Sequence, residues 1–156
     1  IVLNFGPGAQ QSASLPTNST PAQRLQQYEP ILDRDPVNPE ARAQVVDAYI
    51  ELGQYDKAIT RVEKTLQTAP KDINILLELA GLYSLNNQDD KAESAYDRLL
   101  SVDKENLFAL MGKATIRSKK GDIKEAKRLF EDAKKYAPQE STKAEIDKIL
   151  KEKLKP

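Results

Sequence analysis

The side chains able to do chemistry that are most abundant in this chain are charged ones, carboxylates and the cations of Lys and Arg. Acids are paired at Asp89-Asp90 and Glu131-Asp132, the residue type that general acid–base catalysis uses. Both pairs fall at predicted helix starts or on exposed helix faces, where Asp and Glu cap or solvate instead. Histidine and cysteine are absent. That removes thiol nucleophiles, disulfides, zinc fingers, histidine-based triads and the commonest metal ligand. Gly6-Pro7-Gly8 lies in a low-complexity start and makes no phosphate loop before a helix. The sequence therefore reads as a non-enzyme, with no catalytic, cofactor-binding or metal-binding residue.

Cations supply the remaining chemistry. Lys119, Lys120, Lys124, Lys127, Arg128, Lys134 and Lys135 crowd one stretch. A nucleic-acid surface would interleave aromatics with them as stacking platforms. Phe130 and Tyr136 are the candidates, and Phe130 sits in a core register, so nucleic acid is not expected as a partner. Lys148-Ile149-Leu150-Lys151-Glu152-Lys153-Leu154-Lys155 is a basic amphipathic segment of the kind that touches anionic lipid. It lacks aromatic anchors, and shielding the last apolar surface of a helical stack accounts for its apolar side. Lys+Arg and Asp+Glu balance at 24 each, but unevenly. Residues 1–112 carry 10 basic and 16 acidic side chains, and residues 113–156 carry 14 and 8. The molecule is electrically dipolar, with its excess positive charge toward the C-terminus.

The elements that position these groups are helical. The chain of 156 residues fits one domain or one short solenoid, and no apolar run approaches the ~20 residues that cross a bilayer. Ile1-Val2-Leu3-Asn4-Phe5 reads as the tail of a removed or truncated anchor or signal, or as a cloning remnant. Residues 6–20 are uncharged and rich in Gly, Pro, Ser, Thr and Gln, the composition of a flexible linker. A helix over 21–34 opens at Thr20-Pro21 and stripes Leu25, Tyr28, Ile31 and Leu32, with Pro30 expected to kink or split it.

Beyond it the chain repeats. An offset of 34 residues pairs Ala58 with Ala92 and Ala126, Tyr49 with Tyr83, Gly53 with Asn87 and Gly121, and Val62 with Tyr96 and Phe130. Small residues then larger ones at fixed helical spacing describe packed helical hairpins, each burying its face on the next. The units run over 39–72, 73–106 and 107–140, each with two helices. The turns fall at Gly53, at Asn86-Asn87-Gln88 and at Gly121-Asp122. Residues 28, 32 and 36 match 62, 66 and 70, so the 21–34 helix is a half-retained repeat. A final helix over 141–154 aligns Ile146, Ile149, Leu150 and Leu154 but leaves the frame at Lys148, as a capping helix does.

These residues resemble tetratricopeptide repeats over 39–140. The resemblance implies an all-α, right-handed solenoid of antiparallel helix pairs. The second-helix alanine is present three times. The usual first-helix tryptophan is replaced by Arg42, Leu76 and Leu110, the third-unit tyrosine by Arg117, the second-unit proline by Lys104, and the first-unit small residue by Val46. The resemblance also implies that first helices line a concave groove. Its lining would be Glu40, Ala43, Gln44, Asp47 and Ile50, then Asn74, Leu77, Glu78, Gly81 and Ser84, then Phe108, Met111, Gly112, Thr115 and Ser118. Leu77, Phe108 and Met111 suit apolar anchors of an extended or helical peptide. One co-chaperone subclass of the family grips carboxylate tails with a cationic clamp. Here those sites are Ala43, Asp47, Glu78, Phe108 and Gly112, without a cation, so an acidic tail would be repelled.

The expected function is a scaffold or assembly factor holding a client protein or peptide in this groove. Membrane anchoring through a segment N-terminal to the chain is part of that expectation. The favoured setting is the soluble part of a bacterial membrane-attached protein, with a cytoplasmic one as the alternative. A homo-oligomeric self-association module and a lipid-surface protein using the basic terminal helix are the other readings.

Overall fold

The computed structural model describes residues 19–154. Among them the chain forms eight helices and no strand: α1 (Pro21–Arg34), α2 (Pro39–Glu51), α3 (Tyr55–Thr68), α4 (Ile73–Leu85), α5 (Asp89–Val102), α6 (Leu107–Lys119), α7 (Ile123–Tyr136) and α8 (Glu140–Glu152). The tract over 6–18 lies outside the described residues.

Local chemistry sets the starts and stops. Thr20 and Gln23 close a capping box on α1, with Pro21 in the first turn. Asn38, Asp72 and Asn106, spaced at the repeat period, cap α2, α4 and α6 by accepting from backbone N–H groups of Ala41, of Asn74 and Ile75, and of Ala109. The stops are equally periodic. Gly53 (φ 66°), Asn87 (φ 56°) and Gly121 (φ 82°) adopt the left-handed conformation. Each is followed by an N–H that reaches back five residues: Gln54 to Tyr49, Gln88 to Tyr83, and Asp122 to Arg117. This paired-bond ending satisfies the last carbonyls and reverses the chain within two residues. Pro30 does not split α1, which continues to Arg34; a single missing donor in an exposed turn is tolerated when Tyr28 and Leu32 on the opposite side are buried.

The core runs the length of the stack in three linked clusters. Tyr28, Leu32, Ala41 and Val45 join α1 to α2. A central cluster takes Ala58, Val62, Leu76, Leu79, Ala92, Tyr96 and Leu99 from α3, α4 and α5. The last holds Leu110, Ala114, Ala126, Leu129, Phe130, Ala133, Ile146 and Leu154. Tyr49 packs on both of the first two clusters and Leu100 on both of the last two. The three in-register alanines, Ala58, Ala92 and Ala126, have no exposed surface, so each marks a close helix crossing. Helix α8 packs on α7 alone, closing the stack with Ile146 inward, and Leu154 just past its end is buried as well.

Ala92→Leu adds a branched side chain where no space exists and is expected to cost about 1–3 kcal/mol. Urea unfolding against wild type measures it, and an unchanged midpoint would contradict the crossing.

Candidate protein-binding surface

The family resemblance places the first helices of the hairpins, α2, α4 and α6, on the inner side. The backbones of α4 and α6 approach each other directly, whereas no two of α3, α5 and α7 do among the described residues. At that step the first helices lie closer together than the second helices, which is the sense of bending that would put first helices inside; α2 and α4 make no such direct approach. Side chains bridge the same side. Arg42 of α2 donates through Nε to Glu78 of α4 at 2.7 Å. Tyr96 of α5 drives its ring under Gly112 of α6 and bonds Ser84 of α4. A Cβ at Gly112 would lie 2.2 Å from that ring, whereas one at Gly81 would meet nothing. Glycine at 112 is therefore a packing requirement, and Tyr96 is a floor plank spanning two inner helices.

The predicted lining residues differ in what holds them. Glu40, Ala43, Asp47, Asn74, Phe108 and Thr115 are exposed. Gln44, Glu78, Gly81, Ser84, Gly112 and Ser118 are half-buried. Ile50 and Leu77 are half-buried against the central cluster, and Met111 against the C-terminal one. Phe108 is 65% exposed, the most exposed large apolar side chain among the described residues. The Thr115 hydroxyl is turned back to the Met111 carbonyl at 2.9 Å. Burial pushes the Glu78 carboxyl above its ordinary value against the pull of Arg42, and Asp47 and Asp72 add to that push. Arg42 occupies the register of core residues Leu76 and Leu110, and its position is made tenable by the Glu78 pair.

Polar contacts also recur at the 34-residue period, a signal that lay in the sequence and appears once the offset is applied to charged positions. Tyr49 donates to Glu29, and Tyr83 donates to Glu63. Lys57 and Lys91 lie over the two tyrosine rings at 5.7 and 5.5 Å. In the third unit the tyrosine is Arg117 and the lysine is Glu125, whose carboxyl is held low first by Arg128 and, to a lesser degree, by Arg117. Glu93, in the register of buried Ile59, is 7% exposed. It pairs with Arg117 and with Lys120, the latter at 2.8 Å. Burial raises its carboxyl, but these two cations outweigh that and hold it below the ordinary value.

The basic stretch is largely neutralised. Lys119 pairs with Asp89, Lys120 with Asp90, Lys113 with Asp97, Lys134 with Asp147, Lys135 with Asp132, and Arg128 with Glu125 and Asp132. Asp89 and Asp90 thus serve as ion-pair partners in the first turn of α5. Among the described residues no cluster of carboxylates is arranged to hold a metal ion, and no helix is long and apolar enough to cross a membrane.

Family models described as tetratricopeptide repeat match residues 22–74, 75–108 and 109–140. No curated protein matches by sequence. Among solved structures, MamA is 16% identical, with a TM-score of 0.66 over 86% of this chain and 82% of that one. TTC0263, a thermophilic TPR protein in Thermus thermophilus, is 18% identical, with a TM-score of 0.68 over 81% and 71%. At these identities the likeness is one of fold.

Gly81→Ala should stabilise by about 0.5–1 kcal/mol, the helix-interior gain over glycine. Gly112→Ala should instead cost about 1–3 kcal/mol by displacing Tyr96; thermal unfolding of the pair reads the contrast. The Glu93 carboxyl is lower in the folded chain than its ordinary 4.5, so its stabilisation is complete above that value and lost as pH falls through the folded one. The unfolding midpoint should drop along this acid limb, and less steeply in Glu93→Gln.

Proposed function

Because the chain belongs to the tetratricopeptide repeat family, we propose that it is a non-catalytic scaffold or assembly factor. On this reading it holds a peptide or helix of a client protein against the inner faces of α2, α4 and α6. The fold is generally that of a protein–protein interaction scaffold, and sites of this kind act by shape and side-chain chemistry, without reacting groups. The observation that carries the reading is Phe108. Its ring is 65% exposed on the first helix α6, one turn before Met111, which shares its register with Leu77. A lone exposed aromatic needs no explanation. One joined by a half-buried methionine and leucine on a curved face offers an adaptable apolar seat. The uncharged tract over 6–20 would serve such a scaffold as a spacer from a membrane anchor.

Phe108→Asp changes an exposed side chain and is expected to leave the unfolding free energy within about 0.5 kcal/mol of wild type. In a crosslinking pull-down from the native host, this variant should lose the client that wild type captures. Retention of every client by the variant would move the site to the outer face, the third unit or the terminal helix.

A further inference from the structure

The inner face changes chemistry from one end to the other. Its registers, repeated at 34 residues, read Glu40, Asn74, Phe108; then Ala43, Leu77, Met111; then Asp47, Gly81, Thr115. At the α2 end the free groups are acidic. Glu40 and Asp47 are exposed, and neither has an ion-pair partner among the described residues. Arg42, the nearby cation, is already engaged by Glu78 at 2.7 Å, and the upward push on Glu78 from Asp47 and Asp72 reports a surplus of negative charge there. At the other end α6 contains no carboxylate at all. Its Lys113, Arg117 and Lys119 are turned to Asp97, to Glu93 and Asp122, and to Asp89, which leaves Phe108, Met111 and Thr115 as an uncharged inner surface.

Resting on the groove reading above, we propose that the occupant is a peptide segment with basic residues at the α2 end and an apolar anchor at the α6 end. Lysine or arginine meets uncompensated Glu40 and Asp47, while an acidic segment placed there is repelled. The apolar anchor is seated by Phe108 and Met111. Two helix-to-helix steps of about 8–10 Å separate α2 from α6, and an extended chain rises about 3.3 Å per residue. Because α2 and α4 are not packed directly on each other, the basic residues and the anchor stand at least about five residues apart. Because the acidic end is exposed, its attraction is screened by salt, whereas the apolar end is not.

Selection from a random library of peptides about twelve residues long, with the full chain as bait, tests this directly. Peptides enriched in Lys or Arg, at least about five residues from a large apolar residue, are expected. Their affinity, read by fluorescence anisotropy, should fall about tenfold in Asp47→Lys and in Phe108→Asp, and fall with salt in wild type. Enriched peptides that are acidic or uncharged, yet lost in Phe108→Asp, would overturn the basic chemistry and leave the groove reading intact. Peptides that bind Phe108→Asp undiminished, or no enrichment at all, would overturn both. Concentration-dependent dimerisation of the chain alone, abolished by Phe108→Asp, would put a second copy in the groove and overturn the proposal.

Discussion

The close crossing of the two helices in each hairpin is the constraint from which the rest of the molecule follows. Ala58, Ala92 and Ala126 have no exposed surface, and the larger Val62, Tyr96 and Phe130 one turn later fill the space beyond the crossing. A hairpin built this way has apolar surface on both sides and cannot bury it alone. It must stack, so the core becomes a chain of clusters joined by Tyr49 and Leu100. The direct approach of α4 to α6 comes from the same geometry. Tyr96 passes from α5 beneath Gly112 and bonds Ser84, which fixes how near α4 and α6 can come and therefore how the inner face is presented.

The junctions between units are not chemically equivalent. Between the first and second, Ile59 is buried, Tyr83 bonds Glu63, and Asn86 donates to Asp56 at 2.7 Å. Between the second and third, the matching places hold Glu93, Arg117 and Lys120, and Lys120 donates to Asp90 at 2.6 Å. An ionic set gains little over an apolar one, because desolvation offsets much of the attraction. Its consequence is directional: the junction lies where the acidic part of the chain meets the basic part, and it absorbs cations that would otherwise face solvent. That is why a stretch so rich in lysine presents a mostly paired surface and why the inner face of α6 is uncharged.

The architecture was legible in the sequence because it rests on local rules repeated three times. A 34-residue offset of small and large apolar residues, glycine or asparagine in the left-handed turn positions, and Asn or Asp before each first helix fix helices and reversals wherever they occur. The lining of the inner face was legible only as a register. Position along a helix says that residue 77 or 111 lies off the main stripe, but not that Leu77 and Met111 lean on the core while Phe108 stands clear of it.

Residue types and period alone determined that this chain is a stack of helical hairpins without the side chains for thiol, histidine-based or zinc-finger chemistry. Tertiary structure decided which charges are spent. Whether Arg42 is free or bound to Glu78, whether the lysines of the third unit form a patch or a set of pairs, and why Gly112 must lack a side chain depend on residues 16 to 36 positions apart. Contacts across that separation are set by how far each helix tilts and where each long side chain can reach, and neither quantity is written in the local pattern that makes the helices.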